Sequence, residues 1–530
     1  MASDANAPAG LRPGADDRLL TREQCAELTE TFTAHRYEVD AVVDAVGERA
    51  HAALGRNATV PSRLALAGRD DPLATLTRLW LLQDTVPRRD LDRALPGLVP
   101  VLVGAGVLAA DDTSARALVD LRPYSSDDSG TGHDAWIASD LTPGLDTRVT
   151  PMRPDFVLGV SSASSTLAQL TVRRPVGRAL DLGTGCGVQS LHLAHHAREV
   201  VATDLNPRAL TLARLTADLN GLDVDLRHGD LYAPVAGERF DLVVTNPPYV
   251  LSPPTGERLT YREGTRTSDG LVEAVVRQGV DHLADGGLLQ VLANWAHVRG
   301  QDWRDRVSGW VPDEVDLHVV EREVLDPYAY VELWLADAGL TGAPDYAERY
   351  AAWCAYFDDL GIEGVGMGWV VARRHGGSEP HRTLESWPYA VEQPVAPALA
   401  RELDVVGRWR GRSADEVLGT AWRLAPDVVE ETTGAPGAAD PSSIVLRQQR
   451  GLRRAVALDT AEAGVLGACD GDLSLRTLVD TVAGLLDVDA GALATELVAR
   501  VRVLAVDGVL EEAGPPAGAP AGGAAPLSAR

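Results

Sequence analysis

The sequence predicts an α/β protein: a doubly wound, mainly parallel seven-stranded sheet, with a helical or winged N-terminal domain and a small, mostly helical or winged C-terminal domain. Three observations carry that expectation. Between about 150 and 376, short apolar and β-branched runs alternate with helical patterns, as βα units do. One of those runs leads through three closely spaced glycines straight into a helical stretch. Outside this region the apolar residues recur mostly at helical spacing.

The elements follow in order. Residues 1–16 and 514–530 are rich in Pro, Gly and Ala, bury no core, and read as disordered. Thr21 followed by Gln24 offers a capping box, and helical spacing continues to Ala50. A second helix reads over 72–82, with Leu73, Leu76, Leu79 and Trp80 on one side, and a third runs from Pro87 to about 105. Two short extended segments, 117–121 and 135–138, flank the turn-rich SSDDSGTGH. Together these predict a helical, winged domain over 17–140. The central domain, 150–376, has strands expected at 178–182, 199–203, 223–227, 240–245 and 287–293. Two more are expected at 315–320 or 330–336, and at 365–372. A connector over 377–439 leads to a module over 440–513 with helices at 473–486 and 490–506.

Composition sets outer bounds. A chain of 530 residues is too long for one core. Lys+Arg 49 against Asp+Glu 76 gives a net charge of -27, a field that repels phosphate backbones and counts against, without excluding, a nucleic-acid partner. Cys25, Cys186, Cys354 and Cys469 stand far apart and form no metal-ligand or disulfide pattern. No metal site is expected. No signal peptide and no membrane-spanning apolar run is present, so a cytoplasmic location is expected.

RALDLGTGCGVQSLHLA places Asp181, Gly183, Gly185 and Gly187 between a strand and a helix. Glycines let the backbone turn sharply and approach a ligand, and the helix start offers free N–H groups to a carboxylate. The spacing is not that of a dinucleotide pyrophosphate loop. Asp181 can accept from a cationic amino group. Asp204 ends the second strand, where a ribose-binding acid is expected in such folds. Asp230 ends the third and can accept from an adenine amine, with Leu231 beside the ring. An amino-acid tail, a diol and an adenine are the parts of S-adenosyl-L-methionine.

FDLVVTNPPYV sets Asn246, Pro247, Pro248 and Tyr249 directly after the fourth strand, at the end where open sheets bind ligands. An amide or aromatic amine nitrogen has a delocalised lone pair. If the Asn246 side-chain oxygen and the Pro247 carbonyl each accept one N–H, the nitrogen is pushed toward tetrahedral geometry and its lone pair is freed. The prolines fix the backbone of these acceptors, and Tyr249 offers a face for a planar group.

At DLGTGCG, TDLNPRAL and VVTNPPYV the chain resembles class I S-adenosylmethionine-dependent methyltransferases with an Asn-Pro-Pro-Tyr/Phe motif. The resemblance covers about 160–300. It is nearer the release-factor glutamine-N5 and small-domain rRNA branches than the DNA enzymes, and over the whole chain nearest large actinobacterial-type forms. It implies that Asp181, Gly183, Gly185, Asp204, Asp230 and Asn246 touch the cofactor, and that Asn246 and Tyr249 hold the acceptor. It also implies a partner that is a protein, such as a translation release factor, or a nucleic acid methylated at adenine N6 or guanine N2. A binding protein that has lost its chemistry is the third expectation. The C-terminal unit faintly resembles small winged-helix modules.

Lesser candidates are read plainly. His192 and His196 stand four apart without a third ligand and are expected as solvated helix residues. Cys186 is expected as a packing residue. Trp295 and His297 follow the fifth strand, and core packing is the default for them. Tyr261, Arg262 and Glu263 are expected as solvated loop charge.

Overall fold

The computed structural model describes residues 11, 18–126, 133–148, 153–253, 268–377, 379–436 and 441–513. Tyr261, Arg262 and Glu263, expected as solvated loop charge, and most of both termini lie outside the described residues.

The chain divides into two units, Met1–Pro388 and Tyr389–Arg530. The first is centred on a sheet of eight strands: β1 (Val176–Leu182), β2 (Ala197–Asp204), β3 (Val224–His228), β4 (Phe240–Thr245), β5 (Leu283–Val298), β6 (Val315–Leu325), β7 (Ile362–Arg374) and β8 (Arg382–Ser386). The spatial order is β8-β6-β7-β5-β4-β1-β2-β3. Only β7 runs antiparallel to its neighbours; every other pairing is parallel.

The expected seven-stranded sheet thus becomes eight-stranded. β8 adds an edge beside β6, with Leu317 opposite Arg382, so this unit extends past the expected boundary at 376. The alternative strand at 330–336 is instead part of the helix Pro327–Asp337. Asp326 caps it by accepting from the Tyr328 and Ala329 N–H groups, and Pro327 takes the first helical position, where no N–H is needed.

Label the helices of this unit α1 (Ser162–Leu170), α2 (Val188–Leu193), α3 (Pro207–Leu219), α4 (Gly270–Asp281), α5 (Trp303–Ser308), α6 (Pro327–Asp337) and α7 (Tyr346–Leu360). One apolar core lies between the sheet and α4 and α5, where Val275, Val276 and Val307 meet Val243, Leu289 and Val319. Another holds Tyr330, Val331, Trp353 and Phe357 against Val365 and Ile362 of β7.

Ahead of the sheet, the capping box at Thr21 and Gln24 forms as expected. The single helical stretch to Ala50 does not, because Gly47 takes φ +85° and divides Val39–Val46 from Glu48–Leu54. A small antiparallel sheet, Val86–Pro87, Ser114–Ala117 and Leu108–Ala110, forms the wing. The second extended pair is longer than expected: Asp120–Ser126 pairs with His133–Ser139.

The expected boundary near 140–150 is not a boundary of packing. Phe32, Tyr37, Trp80 and Trp136 share one buried cluster with Val188 and Leu191 of α2 and Leu212 and Leu215 of α3. The hairpin is tied to α3 by the Trp136 and Ala138 N–H groups, which donate to Asn220 Oδ1 and Thr216 Oγ1, both at 3.0 Å.

In the second unit, the expected connector over 377–439 is mostly structured, since the helices Ala396–Trp409 and Ala414–Gly419 and the strand Ala421–Leu424 carry core residues. Trp409 and Trp422 lie 4.7 Å apart among Leu475, Leu497 and Leu504. The two expected helices are present as Leu475–Leu486 and Ala490–Val506. Ala421–Leu424 pairs with Asp470–Ser474 and Leu510–Glu512, and Val428–Thr433, Ser443–Gln448 and Ala455–Leu458 form a second three-stranded sheet.

Candidate active site

β1 lies between β2 and β4, which is where the direction of strand addition reverses. Ligands of open α/β sheets bind outside the strand ends at such a point. Leu182 is in register with Thr245, and the Thr245 hydroxyl donates to the Leu182 carbonyl at 2.8 Å. The glycine loop and Asn246 therefore leave the sheet side by side.

The loop is organised by the acids expected there. Asp181 is 1% exposed. Its Oδ2 accepts from the Thr184 hydroxyl at 2.7 Å, the Ser190 N–H at 2.9 Å and the Ser190 hydroxyl at 2.7 Å. Burial pushes the Asp181 carboxyl up to about 6, against those hydrogen bonds. Asp204 ends β2; its Oδ2 accepts from the Gly185 N–H at 2.9 Å and its Oδ1 from the Asn206 N–H at 2.8 Å. Burial raises this carboxyl too.

The three glycines divide by function. Gly183 and Gly185 take φ +73° and +56°, and a Cβ on either would meet no atom within 4 Å, so this backbone borders open space. Gly187, at φ +84°, would place a Cβ 3.3 Å from Ala213 Cα. It permits the close approach of the loop to α3.

At the end of β3, Asp230 is exposed, while Leu231 takes φ +45° and packs on the core beneath β4. Leu205, directly after Asp204, is 48% exposed. It is an apolar surface at the cofactor edge that sequence reasoning missed, because a leucine after a strand reads as core.

Asn246 Oδ1 is buried and has no hydrogen-bond partner. Buried acceptors are almost always satisfied, and leaving one bare costs about 1–3 kcal/mol. This is the atom expected to take an acceptor N–H. Tyr249 is half-buried, edge-on to Trp334 at 6.3 Å. Burial pushes its phenol up to about 12, so it stays neutral and can stack but not act as a base.

Beyond Tyr249 the chain continues through Leu251, whose N–H donates to the Tyr330 hydroxyl at 3.0 Å. It reaches Ser252 and Pro253 in the wall of a cleft of about 1340 Å³. The glycine loop is not part of that wall.

The lesser candidates resolve differently from one another. His192 is not solvated: it is 1% exposed, with Nε2 at 2.8 Å from the Tyr124 hydroxyl. His196 lies past the end of α2, and burial lowers it to about 4. Cys186 is 3% exposed and burial pushes its thiol up to about 11, which suits packing. Trp295 is fully buried and its indole N–H donates to Glu321 at 2.9 Å. His297 Nε2 lies 2.6 Å from the same carboxylate. Asp269 accepts from the Ala296 N–H at 2.8 Å and pairs with Arg306 at 2.6 Å, a structural role. Among the described residues, no group of three or more His, Cys, Asp or Glu is placed to hold a metal, and no helix is long and apolar enough to cross a membrane.

The strand order, the glycine loop after β1 and the acid at the end of β2 are those the resemblance to class I S-adenosylmethionine-dependent methyltransferases leads one to expect. Residues 159–302 match the family described as Methyltransferase small domain, and residues 34–118 match a domain of unknown function, DUF7059. Among curated relatives, the release factor glutamine methyltransferase of Deinococcus radiodurans is 39% identical over 153 residues, 28% of this chain and 51% of that protein. Ribosomal RNA small subunit methyltransferase C of Salmonella arizonae is 33% identical over 138 residues, 26% of this chain and 36% of that protein. The chain thus spans about half, or less, of the length of these relatives. Among solved structures, the T. thermophilus 16S rRNA N2 methyltransferase with AdoMet and guanosine aligns at 17% identity over 44% of this chain and 60% of that one, with a TM-score of 0.26.

Proposed function

We propose that this protein transfers a methyl group to a planar nitrogen, and that the acceptor is the side-chain amide of a glutamine in a protein, in the manner of a release-factor substrate. The observation that carries this reading is the bare, buried Asn246 Oδ1. S-adenosyl-L-methionine, when bound, supplies an electrophilic methyl on a sulfonium. Gly183 and Gly185 leave room for it, Asp181 and Asp204 present carboxylates to its amine and ribose, and Asp230, Leu231 and Leu205 border its base.

The chain's own residues then act on the acceptor. Asn246 Oδ1 and the Pro247 carbonyl each accept one N–H, which localises the nitrogen lone pair, and Tyr249 supports the plane of the group. These acceptors are fixed before the substrate arrives, so no reorganisation is needed during transfer.

The net charge of -27 favours a protein acceptor over a phosphate backbone, and a cytoplasmic site of action suits such a substrate. The second reading, transfer to an rRNA base amine, is favoured by the relatives named for small-subunit rRNA. A fold retained only for binding is the third reading, and methyl transfer into any fraction of the extract overturns it.

The test is transfer of radiolabelled methyl into cytosolic extract, with products split by protease and nuclease. Methylglutamine recovered from protease digests supports the reading; label released by nuclease shifts the acceptor to RNA. Asn246→Ala is expected still to bind cofactor and to lose about 10²–10³ in rate, the cost of one preorganised polar contact. Transfer by that variant within a few-fold of wild type removes Asn246 from the chemistry.

A further inference from the structure

The cleft of about 1340 Å³ is walled by the front hairpin, the segment leading into α1, the continuation of the Asn-Pro-Pro-Tyr stretch and the ends of α6 and α7. On the hairpin, alternation puts Asp120, Arg122 and Tyr124 on one face, and all three line the cleft.

Two atoms of this face are unusual. Asp120 is 1% exposed; its Oδ2 accepts from Arg122 at 2.9 Å, but its Oδ1 is buried without a partner. Arg122 Nε is likewise buried without a partner, although the same guanidinium reaches Asp120 and the Thr142 hydroxyl. A bare acceptor and a bare donor thus stand two residues apart on one strand. Each is unfavourable while unsatisfied.

We infer that this cleft holds the polypeptide around the methylated side chain, with Asp120 and Arg122 together reading one amide group of it. Asp120 Oδ1 accepts the amide N–H and Arg122 Nε donates to its carbonyl oxygen. The inference rests on the protein-amide reading above and adds where the acceptor chain lies.

Three features favour a peptide over a nucleic acid. Asp120 Oδ1 needs a hydrogen-bond donor, which the oxygens of a phosphodiester cannot supply. Of the three cleft arginines, Arg122, Arg148 and Arg349, Arg122 is held by Asp120 and Arg349 by Asp345 at 2.6 Å; one remaining cation is too few to follow a phosphate backbone. Phe156 and Trp353 add apolar wall suited to side chains flanking a peptide group. Ser252, in the cleft wall, follows Tyr249 by three residues along the chain.

The experiment is calorimetric titration of the full chain, saturated with S-adenosylhomocysteine, with N-acetyl-Ala-Gln-Ala-amide and, separately, with guanosine. The peptide is expected to bind wild type. Arg122→Lys keeps a cation for Asp120 but removes the Nε donor. Asp120→Asn has one oxygen, which serves Arg122 or the cleft but not both. Each is expected to weaken peptide binding at least tenfold with S-adenosylhomocysteine affinity unchanged. Equal peptide binding by wild type and both variants overturns the inference, as does no peptide binding to wild type at millimolar concentration. Guanosine binding that depends on Asp120 would move the cleft to RNA. Because the readout is binding, a failure here is separate from a failure of methyl transfer in extract.

Discussion

Burial of Asp181 makes a quantitative demand on cofactor binding. Its carboxyl is raised from 3.8 to about 6 by desolvation, and a shift of about two units corresponds to about 3 kcal/mol between its protonation states. The folded value lies above the unfolded one. The stability associated with the proton is therefore complete below about pH 4 and is lost as the pH rises through about 6. At neutral pH the empty loop carries a destabilised carboxylate, and an ammonium placed beside it relieves that cost. If binding returns the group to its ordinary range, linkage makes the affinity for S-adenosylhomocysteine about tenfold weaker at about pH 5 than at about pH 7.5. Asp181→Asn keeps an oxygen for Thr184 and Ser190 but cannot ionise. The variant is expected to bind at least tenfold more weakly at neutral pH, with a flat profile over that range, while its cofactor-free form gains stability relative to wild type as the pH rises. Calorimetry across pH on both proteins reads this directly. Wild-type affinity in the variant, or a flat profile in the wild type, refutes the placement of a cation at Asp181.

The other predictions concern the scaffold. Gly187→Ala is expected to lower the unfolding temperature, because strain at φ +84° adds to a Cβ 3.3 Å from Ala213, about 1–3 kcal/mol together; Gly183→Ala carries the φ strain, at +73°, without the clash, and is expected to cost less stability than Gly187→Ala while reducing cofactor affinity. Asp140→Ala strands the largely buried Arg208 and the Val157 N–H and is expected to cost about 3–5 kcal/mol in urea unfolding followed by tryptophan fluorescence. Burial acts to raise Glu321, but hydrogen bonds from His297, Ser386 and Trp295 outweigh it and lower the carboxyl overall. Its contribution is present above the ordinary carboxylate range and is lost as the pH falls through the depressed value, so Glu321→Gln is expected to flatten the acid side of the stability profile.

What the sequence made legible was local. The glycine loop, the acid after β2 and the tetrapeptide after β4 each sit within a few residues of their strand, so strand-end chemistry could be read from spacing alone. What it hid depends on partners far away in the chain. β8 reads RTLES, with Leu384 as its one apolar residue and no alternation, and it pairs along the edge of β6. His192 has the spacing of a surface helix residue, yet the hairpin covers it through Tyr124. The two bare atoms at Asp120 and Arg122 are invisible in sequence, since an Asp and an Arg two apart on a strand signal only an ordinary ion pair.

The shared core has a consequence for acceptor choice. Val188 and Leu191, just after the glycine loop, pack in the same cluster as Trp80 and Trp136, and Asp140 fixes Arg208 of α3. The hairpin carrying Asp120 is thereby held to the helix that follows the cofactor-side acid, not hung from a linker. Core packing is intolerant of shifts larger than about a methyl group, so the distance from Asp120 to Asn246 is set by the fold. A reading pair at a fixed distance from a methylating centre selects by spacing: it admits an acceptor whose recognised amide lies one set length from the target nitrogen. If the cleft holds the acceptor chain as inferred, burial of the front domain against α2 and α3 is what keeps that length constant.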